Sequence, residues 1–505
     1  MAGAGMKSRA DWGRLLFTCA IAIVCANALL YAARQANPLI TSDDWVYLDS
    51  FVRKAAASDL SLSDFFLKRA EMDHAQPLRR VVLLVQYRWF GLDYAVGGLV
   101  GVLFAFANLG LLWRIAAPQD ADSRRPRWFL AVFLGIASVY VSLNAGTIYT
   151  WPLLTLGYSS QFFVLLCIFA AWTASVRGTA RAACILACAA FAMDVVADDT
   201  GLLASIAISL AALAWRWRAE DRRQGMAGTA KTVVLPVVGA YAAYKAIYLA
   251  VTRGAVIMAP LSDQLRLDTK LGALAENLPA LLAGLHVPLV AALMQKSRLR
   301  WMFGAHATAA EWTVAMLVLG AHAWFWWRAW RQGTGRPGFA AVALMLYFYG
   351  ALAGILVGRA SIHGAQYFWQ PRYVFLYQLN LVALMLMVID AMSSARTAAA
   401  RSIGAVRVAA VAFACALLLL QCRLSAWTWA GARYSDGFQR KLARQIGELA
   451  AHPERVPGKC APALIVCRYP VEQRKELVGF LQENKLNVFS PDFQARYRLY
   501  PGKSR

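Results

Sequence analysis

Apolar stretches of about twenty residues, each closed off by charged or turn-forming positions, recur along almost the whole of this 505-residue chain. They lie near 15–33, 93–115, 128–144, 152–175, 182–197, 200–215, 231–251, 310–328, 338–358, 374–392 and 405–422. Each is close to the ~20 residues an α-helix needs to cross hydrocarbon, where only helices and closed barrels satisfy every backbone polar group. The pattern predicts an all-α polytopic membrane protein with about eleven transmembrane helices. One further run, Asn277–Gln295, is apolar enough to span but holds His286 and Pro288 and is followed by Lys296, Arg298 and Arg300. Counting it as a span would put Arg328, Arg331 and Arg336 on the outer side, so it is expected to lie in the outer interface or to re-enter.

The polar segments between the runs set the orientation. Lys7, Arg9 and Arg14 precede the first run, and Arg124, Arg125 and Arg127 follow the second. Arg177 and Arg181, Arg216 to Arg223, Arg328 to Arg336 and Arg396 to Arg407 follow the fourth, sixth, eighth and tenth. All fall on the side of the N-terminus, which the positive-inside rule makes cytoplasmic. Residues 34–92 and 252–309 then form outer loops of a membrane domain at 1–422, and the tail at 423–505 also faces outward. Within 34–92, Leu48, Phe51, Val52 and Ala55 have helical spacing, as do Val81, Leu84 and Val85. Trp45, Tyr47, Tyr87, Trp89 and Tyr94 suit the headgroup belt, so this loop is expected to hold interfacial helices. The tail reads as a small α/β domain, with strands at Ala463–Cys467 and Leu486–Phe489 and a helix at Glu472–Glu483. The first run is expected to be an uncleaved anchor, because it continues through Ala33, beyond a usual signal-peptide core.

Composition agrees with the pattern: 59% of residues are hydrophobic and 16% charged, against about 25% charged in soluble domains. The net charge of +24 follows from loop Lys and Arg, and nothing resembles a nucleic-acid module. Of nine cysteines, Cys460 and Cys467 alone lie in the hydrophilic tail, where an oxidising compartment would let them pair. The Ala- and Arg-rich composition fits a bacterium of high GC content, and hence an inner membrane.

Candidate chemistry gathers in the outer loops. Asp43 and Asp44 stand about ten residues beyond the first run. A carboxylate there can act as a general base, worth roughly 10²–10⁴-fold, or help hold a divalent cation such as Mg or Mn. Glu71, Asp73 and His74 follow in the same loop, able to share that site, bind phosphate or cap a helix. Arg359, His363, Arg372 and Tyr373 lie in a late outer loop, where arginine suits bidentate grip on phosphate. Lys245, among Tyr241, Tyr244 and Tyr248, is costly in hydrocarbon unless it faces a polar cavity. Asp194, Asp198 and Asp199 read as residues of an outward turn.

An N-in first span, an outer loop opening with paired acids, many further spans and an outer C-terminal segment resemble the GT-C glycosyltransferase superfamily. The Asp43-Asp44 pair matches its modified acidic motif, Glu71 or Asp73 is placed like its second acid, and Asp198-Asp199-Thr200-Gly201 resembles its polar outward turn. The resemblance implies a multi-pass enzyme that takes a sugar from a polyprenyl-phosphate donor, since nucleotide sugars are absent outside the cytoplasm. The acceptor would be an envelope glycan, lipid or protein. Asp44 or Asp43 would deprotonate the acceptor hydroxyl in a single inverting displacement. The donor phosphate would meet Arg359, Arg372 or Lys245, with His74, His363 and Tyr373 also against substrate. Competing readings are a transporter or flippase, an O-antigen ligase or polymerase acting on lipid-linked glycans, and a non-catalytic envelope protein.

Overall fold

The computed structural model describes residues 3–69, 74–117, 126–218, 222–255, 257, 267–331, 335–394, 400–456 and 458–499. Among them, ten helices are long and apolar enough to cross a membrane, and each overlaps one of the predicted runs. The protein is therefore a polytopic helical membrane protein. The remaining run, 128–144, forms the shorter helix Arg127–Tyr140, in which every residue from Phe129 onward is buried. At 14 residues it is roughly 21 Å long, less than the ~30 Å of hydrocarbon. It is apolar all round because it is enclosed by the helices Gly3–Gln35, Val374–Ser394 and Ala400–Ala430. Asn277–Gln295 does not form one helix. It is divided between the end of Leu267–Ala283, which contains Pro279, and the buried turn of helix Val287–Ala291.

Without a hydrophobic drive between helices in lipid, close packing depends on small residues. Gly97, Gly98 and Gly101 of the helix Ala95–Ala116 face the short helix Pro152–Leu156. A Cβ at Gly101 would run into the Thr155 carbonyl and stand 2.7 Å from the Leu156 nitrogen. Both are backbone atoms that no rotamer change can move. Gly101→Ala is expected to destabilise the protein by roughly 1–3 kcal/mol through overpacking. Gly110→Ala, on the same helix with nothing within 4 Å, should leave stability unchanged or raise it slightly. Unfolding midpoints in detergent check the contrast; equal midpoints would remove the close-packing argument.

The helix ends sort by charge. At one face Asp390 accepts from the Gly335 and Gly338 amides at 2.8 and 3.2 Å, Arg328 lies 3.8 Å from it, and Arg336 donates to the Ile115 and Ala117 carbonyls. The opposite face carries a cap built jointly by residues 38–94 and 431–499. Leu39, Trp45, Leu48, Phe51 and Leu83 share one buried core with Leu442, Ile446, Leu477, Val488 and Phe493. Asn487 ties the halves together: its side-chain amide donates to the Pro38 and Leu92 carbonyls at 2.9 and 2.7 Å, and its backbone N–H to Gly91 at 2.7 Å. Asp93 accepts from Arg496 at 2.9 Å and from the Tyr497 hydroxyl at 2.8 Å.

This cap corrects three expectations. The tail has no strand among its described residues: the stretches read as strands hold the 3₁₀ turns Ile465–Arg468 and Asn487–Phe489. Their apolar side chains are buried against the segment between the first two spanning helices rather than in a sheet, and Asn487 breaks extension with φ +51°. The tail's core is not its own, and the helix Ala400–Ala430 runs past residue 422 to within one residue, Gly431, of the helix Ala432–Ala451. The amphipathic stretches of 34–92 do form helices, including Pro77–Phe90. However, Trp45, Tyr47 and Tyr94 are buried in the protein rather than set in headgroups, whereas Trp89 is 73% exposed. Cys460 and Cys467 form a disulfide with a Cα–Cα distance of 6.7 Å.

Candidate functional site

Where the helices meet the cap, two clusters of acids and bases stand on either side of a cleft of about 140 Å³. His74, Gln76 and Arg79 line one wall; Leu156, Ser159 and Thr200 are on the others.

The first cluster contains the paired acids. Asp44 opens the turn of helix Asp44–Tyr47 and is buried. Its Oδ1 accepts from Arg79 Nη2 at 2.5 Å, and Arg79 Nη1 donates to Gln76 Oε1 at 3.0 Å. The Arg79 guanidinium also stacks over the Tyr47 ring at 4.2 Å. Asp43 is more accessible and pairs with Arg69. Burial pushes the Asp44 carboxyl up to about 6, against the pull of the Arg79 cation, and the neighbouring Asp43 charge adds to the rise. Asp44 itself does not border the cleft. Arg79 stands between the two, so the carboxylate is reached only when that guanidinium moves.

The second cluster is built on the turn between the helices Ala180–Ala197 and Asp199–Trp217. The chain reverses on one residue, Asp198, at φ 48° and ψ −130°, a region that disfavours any side chain. The strain is held by what the carboxylate collects. Asp198 accepts from Lys245 at 2.8 Å, the Tyr244 hydroxyl at 2.8 Å and the Ala75 amide at 2.9 Å, with Lys68 at 3.2 Å. Asp199 pairs with Lys245 at 2.5 Å and Lys68 at 2.9 Å. The Lys245 ammonium lies 5.2–5.6 Å from the Tyr241, Tyr244 and Tyr248 rings. Lys68 and Ala75 belong to the segment between the first two spanning helices, so this cluster fastens one wall of the cleft to the helices.

Donor atoms of His74, Asp198 and Asp199 lie within 4.8 Å of one another, a set that could attract a divalent cation. The arrangement does not fit one: Lys68 and Lys245 already occupy both carboxylates and balance their charge, and a cation would have to displace them.

The structure thus brings Asp43, Asp44, His74 and Lys245 to one region. Glu71 and Asp73 lie outside the described residues. Arg359, His363, Arg372 and Tyr373 gather elsewhere, in a run of short turns from Leu356 to Tyr373. There His363 stacks on Tyr367 with centroids 4.8 Å apart, and Arg372 donates to the Tyr367 hydroxyl and lies over Tyr373 at 5.3 Å. None of these four residues lines the cleft. Phe375, just beyond them, touches its Gly157 wall at 3.1 Å from where a Cβ would stand.

Lys68, Arg69 and Arg79 were not singled out from sequence. The available signal was their sign: basic residues are disfavoured in outer loops, so those in 34–92 called for a partner. Asp198 and Asp199, read as turn residues, are the hub of the second cluster. Asp194, one turn earlier, is fully buried, with no hydrogen-bond partner on either oxygen among the described residues. Gly201 makes room for it, since a Cβ there would collide with Asp194 Oδ1. No protein-family model matches the chain, and no curated protein is significantly similar to it.

Proposed function

We propose that this protein is a GT-C-type glycosyltransferase that moves a sugar from a polyprenyl-phosphate donor to an acceptor hydroxyl of an envelope glycan, lipid or protein. The observation that carries this reading is the buried Asp44–Arg79 pair at the edge of a cleft, where the helices meet the cap. A donor held by its lipid tail among the helices would bring its phosphate to this depth. The phosphate competes with Asp44 for Arg79, which is suited to bidentate grip on phosphate oxygens. As the ion pair loosens, Asp44 loses its counter-charge in a buried setting and becomes a stronger base. It takes the acceptor proton while the acceptor oxygen attacks the anomeric carbon, with inversion, and the lipid phosphate leaves against Arg79. Lys245 and Lys68, matched by Asp198 and Asp199, hold the wall rather than the phosphate. We place the protein in a bacterial inner membrane with the cleft facing the periplasm. The tail disulfide, suited to an oxidising compartment, and the arginine-rich ends on the opposite face support that placement.

The test compares envelope glycans of a deletion strain with strains carrying wild type or Asp44→Asn. Loss of one sugar on deletion, restored by wild type and not by the variant, is expected. The same assay on membranes treated with a chelator should show undiminished transfer. Restoration by Asp44→Asn would overturn the reading.

One observation favours transport instead: Asp194, an unpartnered carboxyl inside a spanning helix, is the type of group that relays protons in transporters. Substrate uptake by proteoliposomes that disappears in Asp194→Asn, with no glycan change in cells, would favour that reading.

A further inference from the structure

Cations at the cleft are matched by carboxylates. A second group of cations at the base of the cap is not. The short helix Lys296–Phe303 places Arg298 and Trp301 against Arg423 and Trp427 near the end of the helix Ala400–Ala430. The Arg298 guanidinium lies 4.0 Å over the Trp427 ring, Arg423 lies 4.6 Å over Trp301, and the two indoles are 4.4 Å apart. Arg298 Nη2 donates to Thr428 Oγ1 at 3.0 Å, which fixes its height beside the Leu143 carbonyl that Thr428 binds in turn. Arg300 is exposed on the same helix, and Trp301 is 47% exposed. Among the described residues no carboxylate lies within ion-pair distance of Arg298, Arg300 or Arg423.

Stacking on indoles covers the faces of a guanidinium and leaves its N–H edge free to donate. The Arg423 edge, the N–H groups of Arg298 not engaged by Thr428, and tryptophans at the level where helices leave the bilayer match a phosphate set among headgroups. None of these residues borders the cleft, so the ligand is separate from any substrate held there. We propose that this Arg–Trp cluster binds the phosphate of an anionic phospholipid of the surrounding leaflet, anchoring the base of the cap to the membrane surface.

The experiment uses the full-length protein in phosphatidylcholine vesicles and nanodiscs, with and without phosphatidylglycerol. Retained lipid is counted by native mass spectrometry, and the unfolding midpoint is followed during lipid titration. Phosphatidylglycerol should be retained in preference to phosphatidylcholine and should raise the midpoint. Arg423→Gln, an exposed position, should weaken that binding about five-fold, and Arg298→Gln with Arg423→Gln roughly thirty-fold. Should the double variant fold poorly, the single variant and the salt dependence of wild-type binding carry the test. Equal retention of both lipids, undiminished binding by Arg423→Gln, or equal binding of free glycerol phosphate would each overturn the proposal, the last by showing that a soluble phosphate suffices.

Discussion

Asp44→Asn is expected to lower sugar transfer by roughly 10²–10⁴-fold while leaving the protein folded, because the amide keeps the carboxylate's shape beside Arg79. The pH dependence separates a base from a merely positioned acid. As the proposed base, with its carboxyl up at about 6 in the substrate-free protein, Asp44 is competent when deprotonated, so wild-type kcat/KM should rise with pH through that value. Removing the neighbouring charge in Asp43→Asn takes away one cause of the rise and should move the limb to lower pH. Arg79→Gln removes the counter-charge and should move it higher, with a large loss of rate as the phosphate contact disappears. Stability runs the other way. A carboxyl whose folded value lies above its unfolded ~3.9 contributes stability below about pH 4, and that contribution is lost as pH rises through about 6. Wild type should therefore lose stability across that window, and Asp44→Asn should not. Profiles of kcat/KM against pH on the purified protein with a lipid-phosphate sugar decide the matter. An unshifted limb in both Asp43→Asn and Arg79→Gln would remove Asp44 as the titrating base.

The membrane part of the fold was legible because lipid reduces the choices to one: a run of about twenty apolar residues can only be a helix. The exception, Arg127–Tyr140, shows the limit of that argument, since an all-apolar run also describes a helix enclosed by others. The cap was not legible. Its core joins Leu39–Leu92 to Leu442–Phe493 across some four hundred positions, and local periodicity carries no information about which distant face covers an amphipathic helix. Short apolar runs in the tail fit strand and buried turn equally well, and the partner that decided between them was the first loop. The site was legible in its acids, which stand out in apolar sequence, and not in the bases that answer them. Arg79 looks like one more charge on an amphipathic helix until the fold sets it on Asp44. Lys68 and Lys245 are far apart in the chain and meet only through Asp198 and Asp199. The Arg359 to Tyr373 loop, expected at the donor phosphate, does not line the cleft.

Asp198→Ala is expected to be the most damaging single change outside the helix interiors, at roughly 3–5 kcal/mol. It leaves Tyr244 and the Ala75 amide without their acceptor, in buried positions, and takes one of two carboxylates from Lys68 and Lys245. Asp198→Asn keeps one acceptor oxygen where Tyr244 and the Ala75 amide bind different ones; with that oxygen on Ala75, its NH2 can donate to the Tyr244 hydroxyl oxygen, so it loses the charge and should cost less than alanine. Asp198→Gly loses every side-chain contact but relieves the backbone at φ 48°, and should recover about 1 kcal/mol relative to alanine. The order Asn, Gly, Ala in unfolding midpoints would assign the turn's stability to its ion cluster and its strain separately; equal midpoints for Asn and Ala would show that the cluster holds nothing. The effect reaches the cleft through the chain. Residues 68–79 carry Arg69 and Arg79, the partners of Asp43 and Asp44, and the Asp198 cluster is what ties the start of that segment to the helices. Loosening it should speed hydrogen exchange at the Ala75 amide and lower transfer. The limb near pH 6 should stay in place, because the base and its immediate neighbours are untouched. A shifted limb in Asp198→Asn would instead mean that the two clusters titrate together and act as one site.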